Sequence, residues 1–385
     1  MKSKMWDEQT IQAFQTTLLN WYHRNKRNLP WRADTDPYKV WISEIMLQQT
    51  RVDTVIDYYY RFMEEFPTIK ALAQADEEKL LKVWQGLGYY SRARNLKVAA
   101  NQIQEEFDGK FPNTVKEIRS LKGIGPYTAG AISSISFGLP EPAIDGNVMR
   151  VISRLFGIEE DITKASTYKI FDQILREIIS HEQPGDMNQA LMEVGATVST
   201  PSAMECPAWL KPFCYACAHN EHDKFPVKTK KAKPKDVYYL AGVIENANHE
   251  YLVIQRPENG LLAKMWHFPL EEVEAKKYQE LKQFWQKEVS NQISLDLVAE
   301  DEDIAPSIFN DWPIVWQKRH FGEVTHVFSH LKWHVLIFYG RSKSEFTPEN
   351  GQWLTEESFS SVAFPKIQQK IRQQFNKSHK VDGDL

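Results

Sequence analysis

Cysteine is scarce in this chain. Only three are present, Cys206, Cys214 and Cys217, which excludes the disulfide framework of a small secreted domain. The first residues, MKSKMWDEQTIQAFQ, contain no apolar run long enough for a signal peptide or a membrane span, so a cytoplasmic protein with no membrane partner is expected. A dominant charge is also missing. The net charge is −4 and is unevenly divided, with 16 Lys+Arg against 21 Asp+Glu from Val237 onward and 31 against 30 before it. The acidity thus belongs to the C-terminal part, and the near-neutral N-terminal part can still carry a local basic face.

What is present is ordinary soluble composition, 42% apolar and 25% charged over 385 residues, enough for two domains with separate cores. Segments such as TIQAFQTTLLNWY and STYKIFDQILREII carry apolar residues every three to four positions, the helical period. The run FPVKTKKAKPKD, 225–236, rich in lysine and proline, breaks the pattern and reads as a linker, a solvated tether or a phosphate-contacting strap. Beyond it come short β-rich runs, VYYLAGVIE, EYLVIQR and WHVLIFYG, with a helical EAKKYQELKQFWQKEV. An all-α domain followed by an α+β domain is expected.

Three segments carry candidate chemistry. WISEIMLQQTRV, 41–52, sets Glu44 among apolar residues, and Asp36-Pro37 ahead of it predicts a helix start about two turns upstream. Burial disfavours a charged carboxylate, so Glu44 is a candidate proton donor near neutral pH; a satisfied structural carboxylate is the plainer alternative. LKGIGPYTAGAISSI, 121–135, places Gly123, Gly125 and Pro126 between helical patterns. That is a helix–hairpin–helix, whose glycines and exposed amides suit a DNA phosphate, read without sequence preference. Asp145, in AIDGNVMR, opens a further helix and could serve only as its cap.

Together with PWRADTDPYKVWISEIMLQQT (30–50), GLGYYSRARNL (86–96) and VFSHLKW (327–333), these segments resemble the MutY-type adenine DNA glycosylases of the helix–hairpin–helix superfamily. The resemblance implies a catalytic all-α domain over 1–225, with the helix–hairpin–helix at about 113–137 and a degenerate cluster loop at 199–217. It further implies a basic linker at 226–236, a Nudix-like 8-oxoguanine recognition domain at 237–368 and a polar tail at 369–385. The activity implied is excision of adenine opposite 8-oxoguanine or guanine in double-stranded DNA, by a monomer acting on a base turned out of the duplex.

By the same resemblance Glu44 is the general acid toward adenine N7, and Asp145 opposes the positive charge developing on the sugar. Asn147 bonds near the reacting centre, and Tyr127 supports Asp145 or the intermediate, or simply packs. Arg32 and Gln189 line the adenine pocket. Gln49, Thr50, Leu87 and Tyr89 are wedge or lesion contacts, with Tyr90 the alternative exposed ring. Phe328, Ser329 and His330 recognise 8-oxoguanine, or form a strand end with exposed polar residues. Tyr127 stands where the strand-cleaving relatives of the endonuclease III type carry a Schiff-base lysine, so base removal without efficient strand scission is expected.

Two departures accompany the resemblance. Residues 265–285 contain no RExxEE pattern, so nucleotide hydrolysis is not expected. The family's C-x6-C-x2-C-x5-C set for a [4Fe–4S] cluster is also incomplete, with Ser199 at the first position and Trp209 at the third. A member lacking the cluster, with no cofactor, is therefore the first expectation, Trp209, Phe213 and Tyr215 filling the space. A zinc site of Cys206, Cys214 and Cys217 with His219 or His222 is the second. Two rival functions remain, a non-catalytic lesion-binding protein and a bifunctional glycosylase/lyase acting on oxidised pyrimidines.

Overall fold

The computed structural model describes residues 6–203, 205–230, 232–288 and 311–383. In chain order the first helices are α1 (Glu8–Asn25), α2 (Pro37–Leu47), α3 (Val52–Glu65), α4 (Ile69–Ala73), α5 (Glu77–Val83) and α6 (Ser91–Glu106). They are followed by α7 (Val115–Ser120), α8 (Pro126–Phe137), α9 (Gly146–Phe156), α10 (Ala165–Ile178), α11 (Pro184–Thr197) and the short α12 (Tyr215–His219). The chain divides into two units, 1–75 with 91–231 and 76–90 with 232–385. No helix among the described residues is long and apolar enough to cross a membrane.

In the first unit α2 begins because the Asp36 side chain accepts from the Tyr38 amide at 2.8 Å and Pro37 presets the first turn. Nearly all of α2 is buried. It packs on α8, which packs on α11, which in turn meets α1 and α9. Helix α9 presents Val148, Val151, Ile152 and Leu155, one apolar stripe, to a core shared with Phe14 and Leu18 of α1, Phe171 of α10 and Leu191 of α11. Gly130 allows the closest approach. A Cβ there would overlap the Pro142 carbonyl oxygen, so glycine lets α8 lie against the segment that leads to Asp145.

The hairpin between α7 and α8 turns at Gly123, whose φ of +80° suits glycine, and a Cβ there would meet the Asn95 side chain at 2.7 Å. The start of the lysine-rich run is not the free tether its composition suggests. Phe225 is buried in the first unit's core, the Ile162 amide donates to the Val227 carbonyl at 3.1 Å, and Thr229 bonds Asp161. Phe225 supplies apolar area that composition averaged over the lysines conceals.

Among the described residues, the second unit is built on a seven-stranded mixed sheet. Its strands are β1 (Lys235–Glu245), β2 (Tyr251–Gln255), β3 (Trp266–His267), β4 (Leu270–Val273), β5 (Ile314–Val327), β6 (Leu331–Ser342) and β7 (Gly351–Leu354). The main order is β3-β2-β1-β6-β5, with β4 on β1 and β7 on β2. β1 and β6 pair in parallel from Lys235/Leu331 to Glu245/Arg341. Side-chain alternation divides β1 between two cores. Ala241 and Val243 face α14 (Lys366–Gly383), whereas Leu240 and Ile244 face Tyr278 of α13 (Ala275–Glu288). The expected polar tail at 369–385 requires correction. Most of it is α14, whose Ile367, Ile371 and Phe375 recur every four residues and lie buried in the core.

Candidate active site

Glu44 sits two turns into α2 and is buried at 5% exposure. Its Oε2 accepts a short hydrogen bond from the Tyr127 hydroxyl on α8. Burial raises the Glu44 pKa to about 7, the neighbouring Asp145 charge adding to the rise while Tyr127 and Arg32 oppose it. Tyr127 thus partners Glu44, not Asp145, and its own pKa is driven well above the usual tyrosine range by burial and by both carboxylates.

Asp145 is the cap of α9 as well as a member of this group. Oδ1 accepts from the Val148 amide at 2.7 Å, and Oδ2 accepts from Asn147 Nδ2 at 2.9 Å. Burial raises its pKa, opposed by these bonds and by the Arg150 charge. The capping bonds also fix the carboxylate in one orientation. Arg150 ties Asn147 in place, donating to its Oδ1 at 2.9 Å, to the Gly195 carbonyl at 2.7 Å and to the Ser199 carbonyl at 2.8 Å.

Sequence reasoning missed two supports. Glu193 on α11, 1% exposed, accepts from Arg27 Nε at 2.6 Å and Arg32 Nη2 at 2.8 Å, fixing the guanidinium expected in the adenine pocket. Arg92 closes the C-terminus of α2, donating from Nη1 to the carbonyls of Ile45, Met46 and Gln48 at 2.8, 3.0 and 2.6 Å. Neither partnership is local, and no spacing rule reveals it. Gln189 lies half-buried on α11.

Of the expected wedge residues, Gln49 is exposed with φ 58° and Tyr89 is exposed with φ 47°. Such left-handed backbone in non-glycine residues is uncommon. Tyr90 is buried, so Tyr89 is the exposed ring of the two, and Leu87 is buried as well. Thr50 Oγ1 accepts from Arg92 at 3.4 Å. Gly125, at the start of α8, has open space where a Cβ would stand, leaving its backbone accessible. In the second unit, Ser329 and His330 are exposed at the β5–β6 turn, closed by the Phe328 amide donating to the Leu331 carbonyl at 2.7 Å. The Ser329 hydroxyl lies 2.6 Å from the Tyr89 hydroxyl. Phe328 packs edge-on to Trp333 and is half-buried.

The expectation of a member without a cluster, with no cofactor and with aromatics filling the loop, is corrected, because the loop brings together a metal-donor set. Cys206, Cys214, Cys217 and His222 bring one donor atom each to within 4.8 Å of one another, a donor set suited to a metal centre. Counting along the family spacing hid it because a 3-10 turn at 211–213, α12 and a second 3-10 turn at 222–224 curl the chain back on itself. The aromatics expected to fill the space pack elsewhere. Trp209 stacks on Trp21, Phe213 meets Trp6 and Phe14, and Tyr215 stacks on His219. That stacking, with Nδ1 2.9 Å from the Tyr215 carbonyl, removes His219 from the donor set.

Comparison with known proteins agrees with this geometry. Residues 42–177 match the HhH-GPD superfamily base excision DNA repair protein family, and 240–374 match the NUDIX domain. The adenine DNA glycosylase of Mus musculus is 33% identical over 95% of this chain and 78% of its own length, and that of Homo sapiens is 32% identical over 95% and 74%. A solved thermostable thymine-DNA glycosylase superposes with a TM-score of 0.50 at 25% identity, covering 55% of this chain and 98% of that one. With a buried acid and a capped aspartate on a helix–hairpin–helix scaffold and with relatives of this extent, the chain belongs to the adenine DNA glycosylase family of base excision repair proteins.

Proposed function

We propose that this chain removes adenine paired with 8-oxoguanine or guanine from duplex DNA, acting as a cytoplasmic monomer and leaving an abasic site. The observation that carries the reading is Glu44, a buried carboxyl whose pKa of about 7 keeps a large protonated fraction at neutral pH. Glu44 donates that proton to adenine N7, turning the base into a neutral leaving group. Tyr127, donating to Oε2, stabilises the carboxylate that remains.

As the glycosidic bond lengthens, positive charge builds on the deoxyribose. Asp145, oriented by Asn147 and the Val148 amide, opposes that charge and captures the sugar or orients the attacking water. Arg32, held by Glu193, and Gln189 line the base pocket. The phenol of Tyr127 offers no amine for a Schiff base, so strand cleavage is not part of the reaction. Gly123 and Gly125 face a phosphate. Gln49, Thr50, Leu87 and Tyr89 contact the opened duplex around the lesion, and Ser329 accepts from the N7 hydrogen that distinguishes 8-oxoguanine from guanine, with His330 beside it. Residues 1–225 are proposed as the catalytic module, and the module from 237 onward, extended past 368 to include α14, as the lesion-recognition module.

Single-turnover adenine release from a duplex with adenine opposite 8-oxoguanine, with strand breaks scored before and after hot alkali, tests the reading. Breaks only after alkali are expected. Breaks without alkali would favour a lyase, and none under either condition a binding module.

A further inference from the structure

The cysteine-rich loop follows α11 and packs beside α9. A four-iron cluster of the kind the family spacing implies needs four thiolates. Three are here, and the residue at the first cysteine's position, Ser199, is buried with its Oγ accepting from Arg154 Nη1 at 3.0 Å. The donors are also too close together. A cube of irons and sulfides spreads its thiolates apart, whereas all four donor atoms here lie within 4.8 Å of one another. The residues present do not fit a four-iron cluster.

They fit one ion. Bonds of about 2.3 Å to sulfur and about 2.0 Å to imidazole nitrogen, at tetrahedral angles, put sulfur and nitrogen roughly 3.5 Å apart. His222 Nε2 lies 3.4 Å from Cys206 Sγ and 3.6 Å from Cys217 Sγ. Two sulfurs on one such ion would stand about 3.8 Å apart, whereas Cys206 and Cys217 are joined here as a disulfide, so the pair can ligate only after reduction; Cys214 is a buried free thiol. The Cys214 Sγ donates to the Arg154 carbonyl at 3.5 Å, which sets the thiol against α9.

Charge gives a second, independent argument. Arg154 on α9 is 3% exposed and donates to the Phe225 and Thr200 carbonyls as well as to Ser199, all neutral partners. It forms no ion pair with a carboxylate among the described residues, although a buried charge calls for a counter-charge. Its bonds to Ser199 and Thr200 and the Cys214 thiol on its own carbonyl set it against the cysteine-rich loop. Three thiolates and a neutral imidazole around a divalent ion carry one net negative charge, which matches Arg154.

We propose that Cys206, Cys214, Cys217 and His222 hold a single tetrahedral zinc ion, with Arg154 as its buried counter-charge, where the family spacing implies a four-iron cluster. The ion binds two parts of the loop through Cys206 and the 214–222 turn, and Arg154 joins that loop to α9. The site performs no step of base excision, so this inference stands apart from the proposed activity.

Metal and acid-labile sulfide analysis of the full-length protein, purified under reducing conditions, tests it. About one zinc per chain is expected, without sulfide, released by a thiol-modifying reagent. Cys214→Ser and His222→Ala should each lower the zinc content by at least about fivefold, and Ser199→Ala should leave it unchanged. Since these variants could misfold, cobalt substitution of the unaltered protein supplies a separate readout, the visible spectrum of a tetrahedral thiolate site. Iron with stoichiometric sulfide would overturn the proposal in favour of a cluster. Zinc-free protein with a persistent Cys206–Cys217 disulfide, or zinc retained in both ligand variants, would overturn it as well.

Discussion

Two carboxyl groups near each other can divide acid and base work only if their surroundings separate their proton affinities. Glu44 has one hydrogen-bond donor and deep burial, and its pKa rises to about 7. Asp145 has an amide, an asparagine and the Arg150 charge holding its own rise in check. The proposed reaction uses Glu44 protonated and Asp145 ionised. Single-turnover rates should therefore fall as pH rises through about 7, where Glu44 loses its proton, and fall again toward acid as Asp145 gains one. Glu44→Gln should slow excision by roughly 10²- to 10⁴-fold while duplex binding persists, and measurable turnover at the normal rate would remove Glu44 as the acid. Because the folded pKa of Glu44 lies above its unfolded value, its stability contribution is complete below the unfolded pKa and lost as pH rises through about 7. The same Glu44→Gln protein should thus gain melting temperature relative to the parent at pH 8 and little at pH 5. Tyr127→Phe removes the bond that favours the carboxylate, so the alkaline limb should move to higher pH and the maximal rate should drop roughly tenfold. An unmoved limb would mean that Tyr127 only packs.

The hairpin shows how far short motifs carry and where they stop. Gly123 and Gly125 look alike in sequence but do different work. Gly123 takes φ +80° against the Asn95 side chain, while Gly125 keeps ordinary backbone with open space beyond it. Gly123→Ala should cost roughly 1–2 kcal/mol from the left-handed backbone alone, with the Asn95 contact adding to that, as read by urea denaturation. Gly125→Ala should change stability by less than about 1 kcal/mol yet weaken duplex binding severalfold, because its new methyl stands where a phosphate would approach. Equal stability loss in the two variants would contradict this division. Local signals of this sort made α2, the hairpin and the cap of α9 readable, since each is set by residues a few positions apart. Glu193 was not readable because its arginine partners lie 161 and 166 residues away. The cysteine loop was not legible for the opposite reason, since the family spacing counts positions along the chain whereas the backbone turns twice between Cys206 and His222.

At the scale of the molecule, an all-α part followed by an α+β part was legible because the hydrophobic period changes from near four to two along the chain. The α14 stripe of Ile367, Ile371 and Phe375 was too narrow among glutamines and lysines to stand out, yet it covers one face of the sheet. On the other face lies α13, whose Lys276, Lys277 and Lys282 pair with Glu280, Glu271 and Glu323. The proposed recognition role of the second unit rests on the β5–β6 turn, where the exposed Ser329 meets Tyr89. A ring able to enter a base stack and a hydroxyl able to accept from a lesion's N7 hydrogen therefore stand side by side. Ser329→Ala with His330→Ala should reduce the rate preference for adenine opposite 8-oxoguanine over adenine opposite guanine, by roughly tenfold if one good hydrogen bond of about 1.4 kcal/mol is lost. The rate on the guanine mispair should change far less, since Glu44 and Asp145 are untouched. A common fall on both substrates with an unchanged ratio would assign the turn to general DNA affinity and remove it from lesion recognition.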